Sequence, residues 1–335
     1  MREYQPIDTK AQKEALINEF KGNLFEYLVA QSLARHFAIE GDFIRSFGGE
    51  IRRQLTEYDH WLRVHEPSLI KSLPILSQQV ASKIVEQIPD GVTKVLVIGK
   101  SAGGSHDKTW DEADILIQVE ESFIPISLKL CKSNAFVNTK SAGVKSFISQ
   151  YFKEFSRNTY FQDLINEGVE RRFQEMARDL HERASLEYFG RFDHRWTEAG
   201  FSELPGQLPK ELNEIVVQTY YDCVGEIYSC LVSLYEENRE LFLKSLLPLI
   251  GIGNSDIMQV SCFHKEIQKE KYQLGGVHIV NSKDLISKEV EIAPLKEGIS
   301  SFEILLDTLR LQIRVKPMNK FTSASFKINC SIKER

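Results

Sequence analysis

The chain has 335 residues, 42% of them hydrophobic and 27% charged, with a formal net charge of −5. That balance suits one large or two ordinary globular domains and excludes wholesale disorder, collagen-like repeats and a long coiled coil. It also excludes a global basic field, so any nucleic-acid surface has to be local. From Lys13 to Phe37 the spacing of Leu16, Phe20, Leu24 and Leu28 predicts an amphipathic helix, widened by Phe25, Val29 and Leu33. Gly48-Gly49 and Glu66-Pro67 mark breaks between further helices up to residue 90. The period then changes. Lys94–Gly99, Ile115–Val119 and Phe123–Leu130 read as three strands, with a polar loop, KSAGGSHDKTW, over 100–110. Helix is expected again from 141 to about 248, and strands from Gly251 to the end. The order predicts an α+β (mixed α/β) fold with segments 1–155, 156–250 and 251–335: a small three-strand core, a helical region and a β-rich basic region.

The segment DEADILIQVEESFIPISLKL, residues 111–130, carries the candidate chemistry. A tight Glu120-Glu121 turn sets Val119 against Ser122 and so Asp114 against Ser127. Side chains alternate along a strand, so Lys129 shares that face while Ile126, Leu128 and Leu130 point into a core. The alternative for Lys129 is a structural ion pair, since lysine is seldom buried without a partner. On the first helix Glu26 is flanked by Gly22 and Ala30, each four residues away on the same face.

Ala113-Asp114, Ser127-Leu128-Lys129 and an early-helix Glu26 together resemble the PD-(D/E)xK nuclease superfamily, the fold of many restriction endonucleases, over roughly residues 13–155. The resemblance implies a core sheet flanked by helices and magnesium-dependent hydrolysis of double-stranded DNA, with manganese as a substitute ion. It implies Asp114, Glu26, Ser127 and Lys129 as catalytic residues, with Asp114 and Glu26 holding the metal. Ser127 departs from the pattern, which has an acid there; Glu26, and after it Glu154, are the candidates to replace that carboxylate. With neither in reach, the chain becomes a DNA-binding accessory protein on a degenerate nuclease fold. A third reading is an interaction module whose charges are salt bridges.

Two further stretches are candidates for DNA contact. Residues 131–145 hold Lys132, Asn138, Thr139 and Lys140 ahead of a helix expected near Ser141, whose free N–H groups suit a phosphate; a plain capped helix start is the alternative. In the tail, Leu309, Leu311, Ile313 and Val315 alternate with Arg310, Gln312, Arg314 and Lys316, and Phe326–Ile332 alternates likewise with Lys327. Residues 310–335 hold seven Lys/Arg against one acidic residue, which nominates Arg310, Arg314, Lys316 and Lys327. Cutting both strands requires two active sites, hence a homodimer. GKSAGGS at 99–105 lacks the spacing of a nucleotide-binding loop. Five cysteines without a CxxC pair argue against disulfides and zinc and for a reducing cytoplasm. No apolar signal core or long apolar run predicts a membrane partner.

Overall fold

A computed structural model of the chain describes residues 10–99, 110, 112–133, 135–252, 257–267, 271–281, 290–307, 309–317 and 320–335. In chain order the elements are α1 Lys10–His36, α2 Glu40–Arg45, α3 Gly49–His65, α4 Pro67–Val85, β1 Val92–Val97, β2 Ile115–Val119, β3 Ser122–Lys132 and β4 Val137–Gly143. There follow α5 Phe147–Tyr151, α6 Asn158–Arg183, α7 His194–Glu198, α8 Lys210–Glu237 and α9 Arg239–Leu246. The last strands are β5 Met258–Ile267, β6 Lys271–Val280, β7 Glu291–Ile292, β8 Ser301–Leu305, β9 Leu309–Pro317 and β10 Phe326–Glu334. The fold is α+β, as the sequence predicts. Among the described residues no helix is long and apolar enough to cross a membrane.

The chain divides into two compact units, one drawn from residues 1–135 and 251–284, the other from 136–250 and 285–335. The chain changes unit at 250, where the sequence places a boundary, but its first change falls at 135 and not at 155, and residues 251–335 are divided between the two units. In the first unit the strands lie in the order β1-β2-β3-β5-β6. The expected three-strand core is thus five strands wide, because β5 returns parallel to β3 and brings β6 with it. Phe25, Val29 and Leu33 of α1 and Leu73, Val80 and Ile84 of α4 pack with Val95, Ile115, Ile126, Leu128 and Val260 of the sheet in one core. Each such side chain contributes about 1.5–3 kcal/mol by burial. Glu66 leaves helical conformation (φ −148°, ψ 58°) ahead of Pro67, which opens α4 at the position where proline fits a helix start.

In the second unit the order is β4-β10-β9-β8-β7. Leu309, Leu311, Ile313 and Val315 of β9 and Phe326, Ile328, Cys330 and Ile332 of β10 are all buried, as their alternation requires. One local expectation fails here. No helix begins near Ser141: residues 137–143 are a strand paired to β10, and α5 starts only at Phe147 after one 3-10 turn. Pairing with a partner almost two hundred residues away makes 137–143 a strand, and helical conformation begins only with the turn at Val144–Ser146 and α5.

Candidate active site

The β2–β3 hairpin has the register Ile115↔Ile126 through Val119↔Ser122, and Asp114 continues it opposite Ser127. The turn is the two glutamates, with Glu120 in the left-handed region at φ 52° and its carbonyl accepting from Gln118 Nε2 at 3.0 Å. Left-handed backbone costs a non-glycine residue something, and the long hairpin ladder offsets it. Asp114 N–H donates to Ile126 O at 2.8 Å, and Asp114 O accepts from Ile98 at 2.9 Å and Gly99 at 3.2 Å. The aspartate backbone is therefore tied to a strand on either side.

Its carboxylate is held as tightly. Leu128 N–H donates to Oδ2 at 2.7 Å, and Ser127 Oγ donates to the same oxygen at 3.4 Å. Lys129 Nζ stands 3.6 Å from Oδ2 and donates to Ser127 Oγ at 3.0 Å. Ser127 is fully buried, whereas the side chains of Asp114 and Lys129 keep 16% and 25% of their surface exposed. Solvent thus reaches the two charged groups but not the serine.

With Oδ2 engaged by the sheet, Oδ1 is the oxygen turned toward α1. A Cβ built on Gly99 would lie 2.5 Å from Glu26 Oε2 and 3.6 Å from Asp114 Oδ1. The two carboxylates therefore converge beside the one residue that has no side chain to separate them, and Gly99 is required there by close approach. The sequence draws attention to Gly22 instead, but a Cβ on Gly22 would meet nothing within 4 Å. The glycine that matters lies across the core from Glu26. Two converging carboxylate oxygens are the hard donors that magnesium prefers, and Glu26 Oε2 is buried where they meet. Among the described residues no group of three or more His, Cys, Asp and Glu side chains is arranged to hold a metal. The cradle has two carboxylates, with Ser127 in the place of a third.

Sequence reasoning passes over two neighbours. Parallel pairing of β3 with β5 sets Gln259 beside Ser127 and Ser261 beside Lys129, and both are buried, at 1% and 3% exposure. The signal was the alternation of Gln259 and Ser261 with apolar Met258, Val260 and Cys262, which marks a strand with one polar face. Glu154, the second candidate for the missing carboxylate, lies in the other unit and accepts from Lys244 Nζ at 3.1 Å.

The remaining candidates fall in two places. Lys132 ends β3 with an exposed side chain. Asn138, Thr139 and Lys140 lie on β4 and not before a helix, so the helix N-terminus expected to bind phosphate there is absent; Thr139 Oγ1 instead donates to Leu249 O at 2.5 Å and Cys330 O at 3.1 Å. In the second sheet the register sets Lys316 against Lys327 and Arg314 against Asn329, so Arg310, Arg314, Lys316 and Lys327 share one sheet face. Arg310 Nη1 lies 3.8 Å from Glu303 Oε2, which partly answers its charge. Burial, with Arg314 and Lys327 alongside, lowers the pKa of Lys316. His106, Lys108 and Asn134 lie outside the described residues.

All five cysteines are free and buried, and burial pushes the thiols of Cys131, Cys262 and Cys330 up to about 12, which disfavours the thiolate. No protein-family model, curated protein or solved structure matches the chain.

Proposed function

We propose that the chain is a magnesium-dependent DNA endonuclease, of the kind typified by type II restriction enzymes, that hydrolyses phosphodiester bonds at a specific duplex sequence. One observation carries the reading: Asp114 meets Lys129 through Oδ2 and Glu26 through the gap at Gly99. A lysine and two carboxylates at one strand end, partly open to solvent, are what metal-assisted phosphodiester hydrolysis needs. Asp114 Oδ1 and Glu26 Oε2 would hold the ion. When bound there, magnesium, or manganese in its place, would supply a lowered pKa for a water and positive charge beside the phosphate. Lys129 orients the attacking water and neutralises charge on the phosphoryl oxygens; water adds to phosphorus as one P–O bond to the sugar breaks. Ser127 carries no charge and positions the Lys129 ammonium through its 3.0 Å hydrogen bond.

The basic face of β9 and β10 is assigned to DNA recognition, by Arg314, Lys316 and Lys327 before the partly neutralised Arg310. Cleavage of both strands makes the working form a homodimer, and five free cysteines favour a reducing, cytoplasmic setting. Ser127 also favours a second reading, a non-catalytic DNA-binding accessory protein. Gel shifts in a chelator, followed by addition of magnesium to the preformed complex, separate the two. The nuclease releases shortened fragments, whereas the accessory protein keeps its duplex intact.

A further inference from the structure

On the helix-packed face of the same sheet, at the far end of β3 and β5, lies a second cluster that the hydrolysis does not use. Lys132 and His264 are register partners on the two strands, and Ser133 N–H donates to His264 O at 2.9 Å. From α1, Lys21 is electrostatically coupled to both Lys132 and His264. His264 is 4% exposed, and both ring nitrogens are buried without a hydrogen-bond partner among the described residues; the buried Ser133 Oγ is likewise without one. Whichever tautomer the imidazole adopts, one ring N–H has nothing to donate to. Buried donors in this state cost about 1–3 kcal/mol each and are rare in folded proteins.

The charges around the gap do not cancel. Among the described residues two ammonium groups face one carboxylate, Glu66, which already accepts from Tyr272 Oη at 2.7 Å. Cys131 faces Lys21 as a neutral thiol. The Tyr272 ring packs 5.2 Å from the imidazole and closes one side. The β5–β6 pairing shifts register beside His264, while Ser133 Oγ lies where a Cβ on Gly275 would stand, next to Lys265, which alternates to the other face of the sheet. A water molecule would satisfy the donors but leave the cations uncompensated. A compact anion with several acceptor oxygens answers both needs.

We propose that Lys21, Lys132 and His264 form a phosphate-binding site, taking either free phosphate or a phosphate group of a nucleic acid. Lys132 is exposed and His264 is buried, so the site runs inward from the surface of the unit. The inference does not rest on the nuclease reading. A chain that binds phosphate and cuts no DNA keeps this conclusion and loses the other.

The test is an NMR titration of the full chain with inorganic phosphate, with divalent ions chelated and ionic strength held constant. The His264 ring signals are identified by their loss in His264→Asn. Saturable movement of those signals at millimolar phosphate is expected, with the ring titrating at higher pH once phosphate is bound. Lys132→Ala, an exposed substitution that leaves the core intact, is expected to weaken phosphate binding about tenfold, the loss of one charged donor. Short duplexes with and without a 5′-phosphate then identify the source. Displacement of phosphate by both assigns a backbone phosphate, by the phosphorylated duplex alone a terminal one, and by neither free phosphate. Unmoved His264 signals, or unchanged affinity in Lys132→Ala, would overturn the proposal.

Discussion

Lys129 Nζ lies 3.6 Å from Asp114 Oδ2, and the hairpin that joins the two residues holds both ends of the pair. Leu128 N–H fixes the carboxylate and Ser127 Oγ fixes the ammonium, so the contact is set by the sheet and not by two mobile side chains. With three quarters or more of each side chain buried, the attraction between them is largely offset by their desolvation, so the intact pair adds little net stability. Its rigidity is more than stability requires, which directs attention to chemistry.

Lys129→Ala leaves Asp114 its hydrogen bonds from Leu128 and Ser127 and is expected to cost about 1–3 kcal/mol of stability, and to lower DNA cleavage by about a hundredfold to a thousandfold, the usual loss of one charge-stabilising donor. Single-turnover rates and urea midpoints measured on the same preparation check both halves. A variant that cuts at the wild-type rate removes Lys129 from the site, and one that fails to fold makes it a structural partner.

Gly99→Ala tests the carboxylate cradle. The added methyl would meet Glu26 Oε2 at 2.5 Å, at the far end of a side chain able to swing away. Stability should fall by no more than about 1–3 kcal/mol, the cost of a tight insertion, while magnesium affinity, read by calorimetry with bound DNA, drops as the Glu26 ligand is displaced. Unchanged metal affinity would place the ion elsewhere.

Most of the hairpin is legible from sequence, because alternation over Ile115–Val119 and Phe123–Leu130 and a two-residue turn leave a single register. Asp114, Ser127 and Lys129 follow from it. The approach of Glu26 to Asp114 is not legible, since it depends on α1 crossing the end of β1 where Gly99 leaves room. Nor is the addition of β5 beside β3, because a parallel partner about 130 residues away leaves no local trace. The stretch around Thr139 misleads for the same reason: its strand exists through pairing with β10.

In the second unit, alanine at Arg314, Lys316 or Lys327 is expected to weaken binding to every duplex and to reduce the salt slope by about one for each phosphate no longer neutralised. Relaxed preference at one base position, at about 1–3 kcal/mol, would instead mark a guanine contact. Arg310→Ala should have the smallest effect of the four, because Glu303 already answers part of its charge. Affinities at several salt concentrations on specific and random DNA check this. Wild-type behaviour in all four variants would remove this face from the interface.

His264 predicts a pH dependence of stability. Burial, reinforced by Lys21 and Lys132, pulls its imidazole down to about 4, against about 6.5 in the unfolded chain. Between those values the unfolded state binds more protons than the folded state. Stability is therefore complete above about pH 6.5 and is lost as pH falls toward about 4, by at most about 3 kcal/mol. In phosphate-free buffer, urea unfolding at about pH 7 and about pH 5 should show this decline in wild type and a flatter profile in His264→Gln. Equal declines in both would assign the effect to other groups.

The central claim is hydrolysis at the Asp114–Glu26–Lys129 cluster, and its most direct measurement is incubation of the full chain with a supercoiled plasmid of mixed sequence. The arms are magnesium, manganese and chelator, with Asp114→Asn alongside. The account predicts discrete linear fragments with either ion, none in chelator, and none from Asp114→Asn although that variant still shifts the same DNA on a gel. An intact plasmid with both ions, from wild-type chain that binds it, would contradict the account and leave a DNA-binding protein without catalysis.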